Sequence, residues 1–97
     1  MRAVTHGDVI AAARVIRTVP RAVRRGTVMA MLDKAHAADR FRKRFGRAHP
    51  LWGNGSLMAV ALVSGGGRAE AFPSDPDHLE AVATVIEAIL AWRSRVP

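Results

Sequence analysis

The chain has 97 residues, 49% of them apolar, with a formal net charge of +7 and no cysteine. That length makes one domain, residues 1–97, near the lower edge of single-core size, and the apolar content excludes a disordered chain. Without cysteine there are no disulfides or thiolate metal sites, and a reducing cytoplasm is the expected compartment.

Charge is distributed unevenly. Residues 1–68 carry 13 basic and 3 acidic groups, a balance of +10, whereas residues 69–97 carry 2 basic and 5 acidic groups, a balance of −3. So basic a body favours an anionic partner. A compositional reading stands beside it: 13 Arg against 2 Lys, with 18 Ala, is how a GC-rich genome writes any protein. The apolar stretch near the N-terminus is interrupted by Arg14 and Arg17, so no secretory signal is expected there. The longest uncharged stretch, 48–67, holds Pro50 and several glycines, so no membrane span is expected.

Helical periodicity runs throughout, and no segment alternates as a strand would. Thr5 is placed to cap the first helix through the Asp8 amide, with Asp8 at the positive end of the helix dipole. Val9, Ala13 and Ile16 share a face, and Pro20 ends the helix. The second helix is expected over Arg21–Phe45. Its apolar stripe is Val28, Met31, Leu32, Ala35, Ala38 and Phe45. Gly26 and Thr27 allow a break, Asp39 and Lys43 stand in the order for an ion pair, and Gly46 terminates the helix. Ser56 caps a short third helix, Leu57–Val63, with Leu57, Met58, Ala61 and Leu62 as its apolar face. The segment 64–74 is a flexible loop pinned by Phe72. Ser74 or Asp75 caps the last helix and Pro76 opens it. Leu79, Val82, Val85, Ile86, Ile89, Leu90 and Trp92 cover more than half its circumference.

The fold class is therefore all-α: a small four-helix domain with one long basic central helix and an apolar C-terminal helix, these two packed antiparallel. Arg40, Lys43, Arg44 and Arg47 form a cationic strip on the long helix, with Arg42 to the side. Arg21, Arg24 and Arg25 stand at its other end. Such a strip suits phosphates and requires no base readout. Phe41 and Phe45, four residues apart, could stack on bases but are read as packing residues. In the last helix, Ile89, Trp92 and Val96 are the candidate interface.

Catalysis finds little support. Ser56 follows Gly-Asn-Gly rather than sitting in a Gly-x-Ser-x-Gly elbow, and His49 is the only base close to it in sequence. The glycine loop lacks the lysine of a phosphate-binding loop. His6, His36, His49 and His78 show no metal-ligand spacing. No enzyme activity, metal or cofactor is expected.

The residues Asp39-Arg40, followed by Gly46-Arg47-Ala48-His49-Pro50-Leu51-Trp52-Gly53-Asn54-Gly55-Ser56-Leu57-Met58, resemble a run in small uncharacterised helical proteins of alphaproteobacteria. The opening Val4-Thr5-His6-Gly7-Asp8-Val9 adds to the resemblance, which covers roughly a third of the chain. It implies a helical fold and brings no established activity. It also suggests phage-derived DNA packaging, in the manner of the small terminase subunit of gene transfer agents, although no motif carries that link. The expected function is non-enzymatic binding of nucleic acid, DNA ahead of RNA, through phosphate contacts. The alternative is a protein–protein adaptor or homo-oligomer.

Overall fold

In a computed structural model that describes residues 2–69 and 72–95, the chain forms four helices: α1 (His6–Ile16), α2 (Arg21–Phe45), α3 (Leu57–Val63) and α4 (Pro76–Arg95). None of the described residues lies in a strand. Local signals explain the helix limits. Thr5 Oγ1 accepts the Asp8 amide at 3.1 Å and Asp8 Oδ2 accepts the Thr5 amide at 2.9 Å, a reciprocal capping box. Helix α2 is continuous through Gly26, and the Thr27 hydroxyl donates to the Val23 carbonyl within the helix rather than capping a restart. Gly46 ends α2 at φ 71°, in the left-handed region that glycine adopts without cost. The Ser56 hydroxyl accepts the Ala59 amide and caps α3.

Helices α1 and α2 each pack against both α3 and α4, while the backbones of α3 and α4 stay apart. The centre is filled by Ile16, Val28, Leu32, Leu57, Val60 and Val85. Alanines buried at the helix contacts, among them Ala12, Ala13, Ala35, Ala61, Ala81 and Ala88, let the backbones approach closely.

Three carboxylates set the helix directions. Asp8 is buried, and its Oδ1 accepts the Met58 amide at 3.0 Å. One charge thereby serves the positive ends of both α1 and α3. At the other end of this pair, the Arg68 amide donates to the Arg14 carbonyl at 3.0 Å, so α1 and α3 run in the same sense. Helices α2 and α4 also run in the same sense, not antiparallel as expected. Arg24 meets Asp77 at their N-terminal ends, and Asp33 accepts from Trp92 Nε1 at 2.9 Å further along both.

Several apolar assignments are corrected. Phe72 is 84% exposed and pins nothing. The loop after α3 is held instead by Arg14, whose Nε donates to the Arg68 carbonyl at 2.7 Å, and by Gly67, where a side chain would overlap the Arg14 backbone. Helix α3 buries Leu57, Val60 and Ala61, while Leu62 points outward and Met58 lies at the rim with its methyl against Gly7 of α1. Phe45 lies beyond the core, on a part of α2 that projects past it.

Two glycine substitutions separate backbone entropy from close packing. Gly26 is in a helix interior with nothing within 4 Å of an added Cβ, so Gly26→Ala should raise stability by about 0.5–1 kcal/mol. Gly55 has φ 96°, and a Cβ there would lie 2.7 Å from Asp39 Cα, so Gly55→Ala should cost roughly 1–3 kcal/mol or more. Urea denaturation measures both, and a destabilised Gly26→Ala protein would contradict the continuous α2.

Candidate nucleic-acid interface

The eight basic residues singled out above divide into two groups with different employment. At the N-terminal end of α2, Arg24 is buried. Its Nη1 lies 3.0 Å from Asp77 Oδ1 and its Nε donates to the Val19 carbonyl at 3.1 Å. Arg21 reaches Glu80 at 2.8 Å. Arg17, on the C-terminal side of α1, pairs with Asp77 at 3.0 Å and Asp75 at 3.2 Å. Hydrogen bonds from Arg17, then Arg24, hold the Asp77 carboxyl below the ordinary carboxylate range. Arg24 is therefore a structural partner of α4 and is buried away from any phosphate, whereas Arg21 is an exposed partner of Glu80, with its side chain 68% exposed. Arg25 is exposed, with no carboxylate pairing among the described residues.

The C-terminal end of α2 is built differently. The buried stripe stops at Ala38 and Asp39, and from Arg40 to Ala48 only Phe41 is even half-buried. Arg40, Arg42, Arg44 and Arg47 are all exposed and pair with no carboxylate among the described residues. Lys43 bonds Asp39 at 3.0 Å. Burial works to raise the Asp39 pKa, but it falls below the ordinary range, with the Lys43 hydrogen bond and charge contributing to the lowering. Arg40, Lys43 and Arg44 fall within roughly 100° of one another around the helix, and Arg42 lies on the opposite side. The same cations reach His36, whose edge packs on the Trp92 ring at 5.3 Å. Burial first, with Arg40 adding, holds its pKa below the ordinary value. Arg21 is roughly 28 Å from Arg40 along the helix, so the two groups are separate patches.

The loop after α2 positions aromatic rings. His49 and Gly53 exchange backbone hydrogen bonds at 2.7 and 3.0 Å, closing a tight turn with Gly53 at φ 80°. Inside it, His49 Nδ1 accepts the Leu51 and Trp52 amides at 3.0 and 3.2 Å. Asn54 Oδ1 accepts the Ser56 amide. Ser56 is thus occupied as a helix cap, and the nitrogen of His49 that would act as an acceptor is engaged by the backbone. No group of three His, Asp or Glu side chains among the described residues is arranged to hold a metal ion. Nor is any described helix long and apolar enough to cross a membrane.

The proposed interface face of α4 is also corrected. Ile89 and Trp92 are buried in the core, with Trp92 hydrogen-bonded to Asp33, and Val96 lies outside the described residues. The outward apolar stripe is Leu79, Ala83, Ile86 and Leu90. Its four-three-four spacing is visible in the sequence and is that of a coiled-coil seam.

No curated protein and no solved structure matches the chain. Residues 2–89 match the family described as a domain of unknown function, DUF7742, and the chain therefore belongs to that family.

Proposed function

We propose that the protein is a non-enzymatic helical module that binds nucleic acid, with DNA as the expected form, through phosphate contacts at the C-terminal end of α2. The observation that carries this reading is the projection of that helix end past the core with four exposed arginines that pair with no carboxylate among the described residues. Packing does not require them, because the buried stripe has already ended. Cations so placed release counterions from a polyanion when they bind it. An accessory role in phage-derived DNA packaging is part of this proposal.

Binding should weaken steeply with salt. With three or four phosphates contacted on a duplex, the logarithm of the affinity should fall with the logarithm of salt concentration at a slope of about −3. Arg44→Ala should reduce that slope in magnitude by about one. A gel-shift titration at several salt concentrations measures both. Absence of binding at low salt, or indifference to salt, would overturn the reading.

A second reading, self-association, rests on the exposed stripe of α4. An antiparallel pairing of two copies about a twofold axis would set Leu79 against the second Leu90 and Ala83 against the second Ile86, a self-complementary register. Light scattering should then show a concentration-dependent dimer that Ile86→Glu abolishes. A strict monomer at the highest soluble concentration would remove this reading.

A further inference from the structure

The two phenylalanines of α2 do not pack as their spacing suggested. Phe45 is 53% exposed and Phe41 is half-buried, and neither joins the hydrophobic core. Their rings lie 4.6 Å apart, centroid to centroid. Phe41 in turn meets His49 edge-on at 4.9 Å, and His49 stacks on Trp52 at 4.7 Å with the planes 5° apart. Trp52 packs against the core. A run of four rings therefore leads outward from the core to an open ring. That outer ring stands among cations: the Arg44 guanidinium lies over it, 5.4 Å from its centroid, and an open hollow on α2 is lined by Ala37, Arg40, Phe41, Lys43 and Arg44.

We infer that the end of α2 takes a single-stranded nucleic acid, stacking a base on Phe45 while Arg40, Arg44 and Arg47 hold the neighbouring phosphates. The inference rests on the phosphate-binding reading and names its substrate class. Three features favour a single strand over a duplex. Bases within a duplex are already stacked and offer no free face to an aromatic ring, whereas an unpaired base does. The helical part of the patch, Arg40 to Arg44, spans only about 6 Å, enough for a few phosphates of one strand. Arg24, which would have lengthened the patch, is buried against Asp77, and Arg21 stands roughly 28 Å from Arg40 along the helix. The rings of Phe41, His49 and Trp52 tie Phe45 to the core, and the Arg44 guanidinium over Phe45 moves aside to a phosphate as a base takes its place.

The test measures the affinity of the full chain at low salt for a labelled oligothymidylate, a duplex of equal length and a polyglutamate peptide. The proteins are the wild type, Phe45→Ala, Phe45→Trp and the double variant Arg40→Ala/Arg44→Ala. Phe45 is exposed, so its variants should keep the fold, which circular dichroism checks. The single strand should bind best. Phe45→Ala should weaken it roughly 5- to 100-fold with little change for the duplex, and Phe45→Trp should retain binding, with quenched fluorescence. The double variant should weaken both nucleic acids. Single-strand binding unchanged in Phe45→Ala, or polyglutamate bound as tightly as the oligonucleotide, would overturn the stacking inference. In the first case salt-dependent nucleic-acid binding would survive. No binding of any nucleic acid would overturn the phosphate reading, and this one with it.

Discussion

Asp77 is where three helices meet. Its carboxylate lies in the first turn of α4, where the helix dipole already favours a negative charge. It accepts from Arg17 beside α1 and from Arg24 in the first turns of α2. Both arginine side chains are only 9% exposed, so without a counter-charge two cations would be left nearly buried. This requirement draws the N-terminal end of α4 to the turn between α1 and α2 and gives α2 and α4 their common direction. Further along, the exposed Asp33 adds a second link between the same helices, accepting from Trp92 and Arg95. Asp8 links α1 and α3.

The clamp also changes what the net charge means. The excess of +10 in residues 1–68 is not a uniform basic surface, because the acidic start of α4 folds back onto part of it. The cations left over are concentrated at the far end of α2, beyond the last buried residue. Burial of Asp39 beneath Lys43 anchors the base of that projection and leaves the arginines around it without a carboxylate partner among the described residues. A cationic end with an open aromatic ring is thus the remainder of an otherwise balanced interior.

Much of this was legible in the sequence wherever the signal is local. Pro20, Gly46 and Ser56 act on their own neighbours, so the limits of α2 and α3 follow directly, as does the capping box of Thr5 and Asp8. The exposed basic run from Arg40 to Arg47 was equally plain. What failed depends on partners far along the chain. An arginine reads the same whether it faces water or Asp77, so Arg24 looked like a ligand. Helix α4 carries two apolar stripes at helical spacing, and bulk favoured neither. The small residues Ala81 and Ala88, which decide the buried side by allowing close approach, carry little weight in an apolar pattern. Phe45 looked like an anchor because spacing does not tell where a core ends. The shared direction of α2 and α4 had one available signal: opposite charges at both N-terminal ends, Arg21 and Arg24 against Asp77 and Glu80.

The most direct test of the Asp77 clamp is equilibrium unfolding of the wild type and Asp77→Asn as a function of pH. A carboxylate whose folded pKa is depressed contributes stability that is fully present above the ordinary carboxylate range and lost as pH falls through the folded value. The wild type should therefore lose stability as pH drops below about 4. The Asp77→Asn protein should be less stable at neutral pH and show a shallower acid dependence. Equal stability of the two proteins at neutral pH, with parallel acid profiles, would contradict the account.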